Sequence, residues 1–208
     1  MLIEWLGHSC FRLTLKNGLS VVTDPYDDKV GYALPRHPAD IVTVSHEHFD
    51  HNYTAPLSPR HVLRGPGVQT VEGVKIEGFA SFHDDAQGAK RGLNTMFLIE
   101  ADDIRVLHLG DLGHDLTDKA IAAFGRVDVL LIPVGGVFTI DAGQAADLAK
   151  RIAARITVPM HYKTSALSFN LGECAPFTAA MGAAKALSSL DPETETAPVI
   201  TLTPGMGL

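Results

Sequence analysis

Cysteine is scarce in the 208-residue sequence: Cys10 and Cys174 lie far apart and in no C-x-x-C spacing. A disulfide framework or a thiolate zinc site therefore has little support, and both are expected as reduced core thiols. No segment offers the roughly 18 unbroken apolar residues that a membrane-spanning helix requires. Basic runs are missing as well. Seventeen Lys and Arg against 24 Asp and Glu give a formal charge of −7, with no cluster to track a phosphate backbone, which argues against a nucleic-acid partner. The stretch from Met1 to His8 has no basic region, and Glu4 interrupts what would be the apolar core of a signal. A cytoplasmic protein with no membrane partner is expected. Repeats, low-complexity segments and Gly-, Pro- or Ser-rich linkers are also absent, so residues 1–208 are expected to form a single domain.

What is present is ordinary in bulk: 46% hydrophobic and 20% charged residues, with a mean hydropathy of +0.12. Leu2 to Leu6 and Phe11 to Leu15 alternate well enough for strands, Asn17 and Gly18 form a strong two-residue hairpin signal, and Leu19 to Thr23 follows as a strand that Asp24 and Pro25 end. Ile41 to Val44 is a short β-branched run suited to a buried strand. Further strands are predicted over Val74 to Phe79, Met96 to Glu100, Ile104 to Leu109, Val127 to Ile132, Ile156 to Met160 and Val199 to Leu202. Helices are fewer. Asp141 to Ala153 has capping-box spacing at Asp141 and Gln144, with Ala145, Leu148, Ala149 and Ile152 on one face. Thr117 to Phe124, closed by Gly125, and Glu173 to Leu187 are the other two. The pattern is layered α/β, with irregular loops from Tyr53 to Pro66 and Asp84 to Asn94.

Ten histidines are the unusual entry in the composition. His46-Glu47-His48-Phe49-Asp50-His51 follows directly on the Ile41–Val44 strand. In an extended chain residues two apart point the same way, so His46 and His48 can converge on one cation while Asp50 and His51 aim past it. Four donors within six residues can serve two neighbouring metals if distant segments add the rest. His83, Asp111 and His161 each follow a predicted strand and are the natural additions. Asp111, with two oxygens, is the candidate for a bridge, which a neutral histidine cannot make. The helical zincin motif H-E-x-x-H is absent, because Asp50 stands where the second histidine would be.

This ordered set, His-x-His-x-Asp-His followed by His, Asp and His, resembles the metallo-β-lactamase superfamily. Gly7 to Phe11, Gly92 to Thr95 and Pro159 to Lys163 resemble the branch that contains L-ascorbate-6-phosphate lactonase and, more distantly, N-acyl-phosphatidylethanolamine phospholipase D. The resemblance runs from about Ile3 to Lys163. It implies a four-layer αββα sandwich, two mixed β-sheets flanked by helices, with the metals at one edge. It implies that His46, His48 and His83 hold one metal and Asp50, His51 and His161 the other, with Asp111 between them. It also implies a hydrolase in which a water or hydroxide activated by two divalent ions, zinc first and manganese, iron or nickel otherwise, attacks an ester, lactone, amide or phosphoester. Asp50 would help orient that nucleophile, which makes Asp50 and Asp111 the catalytic candidates.

Around this set, His8, Arg91 and Lys163 are candidates for substrate contact, the last two through charge, each against a plain structural or surface role. Asp24 is either a strand-ending turn residue or a carboxylate that fixes a ligand histidine. His114 lies close after Asp111, and Asp84 stands beside His83 as a substitute donor. His108 reads as core, and His37 and His61 as surface. The expected partner is a small-molecule substrate, with room for a homo-oligomer. True β-lactam hydrolysis is disfavoured by the missing signal, and RNA processing by the fifty residues between Asp111 and His161, too few for an inserted domain. A non-catalytic metal-binding or metal-sensing module is the competing class, and a di-iron redox role has no second domain to pass electrons.

Overall fold

In the computed structural model, which describes residues 1–34 and 37–205, the N-terminal alternation becomes an antiparallel meander of β1 (Leu2–Gly7), β2 (Cys10–Thr14) and β3 (Ser20–Thr23). The Asn17 side chain accepts from the Leu19 amide at 3.0 Å, closing the predicted turn. β4 (Ile41–Val44) and β5 (His61–Arg64) then add in parallel, giving a five-stranded sheet in the order β1-β2-β3-β4-β5.

The second sheet is built from β6 (Gly67–Val71), β7 (Val74–Phe82), β8 (Leu93–Ala101), β9 (Ile104–His108), β10 (Val129–Pro133) and β11 (Ile156–Met160), in the order β11-β10-β9-β8-β7-β6. β6 to β9 run antiparallel, and β9, β10 and β11 are parallel. The parallel steps need crossovers, supplied by α1 (Asp118–Phe124) and α2 (Ala142–Ile152). Thr117 caps α1, and α2 opens on the full capping box of Asp141 and Gln144. A small parallel pair, β12 (Lys185–Leu187) and β13 (Ile200–Leu202), completes the strands. Among the described residues no helix is long and apolar enough to cross a membrane.

Three elements depart from the sequence expectation. Glu173 to Leu187 is not one helix: α3 (Ala175–Met181) stops at Gly182, whose φ of +97° no helix can continue through, and β12 follows. β5 lies within the loop expected from Tyr53 to Pro66, and β6 follows it where no strand was expected. His61–Arg64 carries one buried side chain and β6 none, so neither shows the alternation that marks a half-buried strand.

Successive residues of the first sheet face opposite ways, and both faces are covered. Val21 and Ile41 join a large cluster with Trp5, Phe11, Ile76, Ile99 and Val106 between the sheets, which extends to Ala145, Leu148 and Ala149 of α2. Val22 and Val42 join a second cluster with Cys10, Tyr26, Val30 and Leu57. No residue of α1, α2 or α3 belongs to that second cluster; its cover is the segment carrying the 3-10 turns Asp28–Val30 and Ala55–Leu57. Cys10 is buried and Cys174 half-buried, both free.

The topology decides where the chemistry sits. β1, β3 and β4 run the same way, as do β7, β9 and β11, so their C-terminal ends gather along one edge of each sheet. The residues just past those ends are His8, Asp24, His46, His83, Asp111 and His161. At this edge the sheets approach closely. A Cβ on Gly110, whose φ is +56°, would lie 2.4 Å from Asn94 Oδ1 and 2.7 Å from Ser45 Cβ, so only glycine fits.

Candidate metal centre

The predicted donors come together. Nε2 atoms of His51, His83 and His161 lie 3.2, 3.3 and 3.2 Å from Asp111 Oδ2, and His46 Nε2 lies 3.9 Å from the same atom. These are contacts of distance without hydrogen-bond alignment. The Nε2 atoms of His46, His51 and His161 and the Oδ1 of Asp111 are buried without a hydrogen-bond partner. Such orphans are costly in a protein interior unless something else takes their lone pairs. A cation does so, and the set of imidazole nitrogens and carboxylate oxygens suits a divalent one.

The donors sort into groups whose ligating atoms lie within 4.8 Å of one another: His46, His48 and His83; His8, Asp50, His51 and His161; and His46, His51 and Asp111. Asp111 thus touches members of both the first and the second group, and it does so through one oxygen, Oδ2, rather than one oxygen for each. His48 is the solvent-exposed member, and His8, His51 and His161 are fully buried.

Three donors, His46, His51 and Asp111, are held from behind. Asp24, fully buried, accepts from the Ser45 amide at 2.8 Å and the Ser45 hydroxyl at 2.5 Å, and its Oδ2 lies 2.9 Å from His51 Nδ1. A carboxylate on Nδ1 fixes the ring and leaves Nε2 to face the centre. Ser45 Oγ also lies 2.9 Å from His46 Nδ1. Asn94 Oδ1 accepts from the Asp111 amide at 3.0 Å while its Nδ2 donates to Ser81 and to the Leu109 carbonyl, which locks the turn carrying Asp111. Ser45 and Asn94 escaped the sequence reading as site residues. Ser45 adjoins the histidine cluster, but its reach to Asp24 depends on the parallel pairing of β3 and β4. Asp24, His8 and His161 have φ of +40°, +54° and +52°. Left-handed backbone at three non-glycine residues is strain held in place by the surroundings, and it gathers at this centre.

Electrostatics match this geometry. Burial, helped by His51, pushes the His46 imidazole down to about 3. Burial, with His161 beside it, takes His8 to about 4. Both stay neutral at ordinary pH, with a lone pair free. His51 is the exception: burial opposes its charge, yet Asp111 and Asp50 hold it well above the usual histidine value. The partner Asp111 is held well below the usual carboxylate range by His161 and His51, although burial acts the other way. Asp50 is lowered against burial by His51 and by its contact with His8.

The remaining candidates separate. His8 Nε2 lies 3.2 Å from Asp50 Oδ2, so it braces a donor and has no exposed surface to offer. Arg91, half-buried, lines the cavity over the centre. Lys163 is exposed and is not among the residues lining that cavity. Asp84 does not stand in for His83: its two oxygens accept from the amides of Ala86, Gly88, Lys90 and Arg91 and so are spent on ordering the loop. His114 bonds the backbone of Phe82 and Asp115. His108 is core, bonded to Ser9 and Gly110.

The Beta-lactamase superfamily domain Lactamase_B_3 matches residues 2–161. The chain belongs to this superfamily. Its match spans β1 to β11 and includes every donor named above. A UPF0173 metal-dependent hydrolase from Methanoculleus marisnigri is 34% identical over 198 residues, covering 83% of this chain and 86% of its own. Among solved structures, a Zn-dependent hydrolase of the metallo-β-lactamase superfamily from Thermotoga maritima superposes with a TM-score of 0.80 at 37% identity, over 97% of both chains. A metallo hydrolase from Ignicoccus hospitalis shares the fold, with a TM-score of 0.73 at 20% identity, over 98% of this chain and 95% of its own. The chain is thus a member of a metal-dependent hydrolase family of the superfamily.

Proposed function

We propose that the chain is a dinuclear hydrolase that cleaves an ester, lactone or phosphoester bond in a small, anionic metabolite. One observation carries the reading: the donors fall into two groups, each with members within 3.9 Å of Asp111 Oδ2, and the Nε2 atoms of His46, His51 and His161 among them are buried without a hydrogen-bond partner. His46, His48 and His83 would hold one cation, Asp50, His51 and His161 the other, and Asp111 both. Zinc suits these donors first; manganese, iron and nickel also accept them. When bound, the pair would supply Lewis acidity toward a water molecule and toward the bond to be broken.

The chain's own residues do the rest. Asp50 stays ionised, braced by His8, so it can orient a water through an accepting oxygen. Asp24 and Asn94 hold His51 and Asp111 in register. Arg91 offers positive charge at the mouth to an anionic group. A cytoplasmic setting, a small-molecule partner and a homo-oligomeric state open to measurement belong to the same proposal.

Protein purified without added metal should contain close to two divalent ions by elemental analysis, and a panel of lactones, carboxylic esters and phosphodiesters should include one turned over only by metal-loaded protein. No metal-dependent turnover anywhere on the panel would defeat the hydrolase reading and leave a metal-binding module. Asp24→Asn should weaken metal uptake by about 10–100-fold, since the amide cannot fix the His51 ring as the carboxylate does. Competition with a chromogenic chelator reads that change, and unaltered affinity would remove Asp24 from the site.

A further inference from the structure

We infer that the substrate is amphipathic: one anionic group held by Arg91, joined to a flat apolar body that packs on Phe49, Phe138 and Phe169. This rests on the hydrolase reading of the centre and adds to it the chemical class of the molecule cleaved.

The cavity over the centre, about 430 Å³, is lined by His48, Asp50, His83 and Asp111, by Arg91, and by the three phenylalanines. That volume lies within the roughly 300–1,000 Å³ of small-molecule sites. Phe49 and Phe138 are 53% and 37% exposed, two of the seven exposed large apolar side chains among the described residues. Leu93, 69% exposed, lines the adjoining groove, which shares His48 and Arg91 with the cavity. Apolar surface left open around a cavity with convergent polar groups marks a place where a ligand completes the burial.

The wall is also fixed to the centre. Phe138 packs against Phe169 with centroids 6.4 Å apart, and Phe169 meets the ring of His8 edge-on at 5.4 Å. His8 in turn braces Asp50. Arg91 lies over Phe138, its Cζ 5.3 Å from the ring centroid, and Nη2 reaches only the Val137 carbonyl at 3.4 Å. Arg64, Arg105 and Arg151 each pair with an acidic side chain, whereas Arg91 pairs with no carboxylate among the described residues. Its backbone is pinned by Asp84 at 2.7 Å. A guanidinium so held, stacked and short of acceptors, presents its donors to a carboxylate or phosphate oxygen.

Hydroxyls of a sugar-like body would face three phenyl rings without partners, which disfavours binding. An aryl or branched alkyl body would instead pack on them. The bond cleaved then lies between that body and the anionic group or at its edge, over Asp50 and Asp111.

The test is binding of phenylacetate, acetate, benzyl alcohol and gluconate to the metal-loaded protein and to the chelated protein, by calorimetry or ligand-observed NMR. Phenylacetate should bind about tenfold or more tighter than the other three. Phe138→Ala should bring phenylacetate down toward acetate. Arg91→Gln should bring it toward benzyl alcohol, with Arg91→Lys retaining part of the gain. The order should persist after chelation, since neither residue is a donor, and unchanged thermal midpoints would show the variants folded. Equal binding of phenylacetate and acetate, tighter binding of gluconate, or a preference untouched by either substitution would overturn the inference. Binding in the expected order without hydrolysis of any phenyl ester would uphold it while counting against the hydrolase reading.

Discussion

Asp111→Asn is expected to lower kcat by about 10³-fold or more, some 4 kcal/mol of barrier, and to reduce the metal content from two ions to one or fewer per chain. The substitution is nearly isosteric, and the bond from the Asp111 backbone amide to Asn94 does not involve the side chain, so the turn should keep its shape. What changes is charge and donor type. Four imidazole Nε2 atoms face Asp111 Oδ2 within 3.9 Å. A neutral amide placed there cannot balance two dications, and in one of its two orientations it presents N–H groups to them. Elemental analysis and turnover are read on the same preparation. Unchanged turnover with two ions bound would contradict a bridging role for Asp111.

Removal of metal by a chelator should cost the protein about 8–16 °C of thermal midpoint. A ligand present at a thousand times its dissociation constant stabilises by roughly 4 kcal/mol, and for chains of this size each kcal/mol moves the midpoint by about 2–4 °C. The gap should depend on pH in a definite direction. His51, raised above its usual value in the metal-free protein, carries a proton at neutral pH that a cation must displace. That proton stabilises the metal-free fold below the ordinary histidine value, and the contribution is lost as pH rises through the raised one. Metal binding gains over the same interval. The difference between loaded and chelated midpoints should therefore widen with rising pH, while His8 and His46, already neutral, contribute nothing in that window. A difference that is flat or narrows with pH would remove His51 from the donor set.

Much of this centre was legible in the sequence because its donors sit where strands end. His46, His83, Asp111 and His161 each follow a run whose β character is plain, and a short turn after a strand points its residues at the sheet edge. The split into two groups was what the superfamily resemblance implied, because His46, His48 and Asp50 are each two apart and alternation alone would leave Asp50 beside the first two histidines. What the sequence withheld was mutual reach. His8 and Asp50 are 42 residues apart, and nothing in either neighbourhood says that β1 and the loop after β4 end side by side. Ser45 follows β4 of one sheet and Asn94 lies in β8 of the other, and their part in the site depends on how closely those sheets approach at Gly110. The fold was read in the same way: buried strands and capped helices were visible, whereas β5 and β6 carry too few buried side chains to show a period. The helix expected to run to Leu187 ended where Gly182 takes a positive φ, a conformational fact that composition does not carry.

The gathering of strand ends has a consequence for the life of the chain. Donors from the first sheet, His46 to His51, meet donors from the second, His83, Asp111 and His161, across the gap between the sheets. No shorter N-terminal piece holds the whole set. During synthesis the last of these donors emerges only after more than three quarters of the 208 residues have been made, and α1 and α2 must already have carried the chain across twice to deliver it. Completion of the site is thus a late event, and what it joins is the pair of sheets themselves, like a clasp closing a book along its open side.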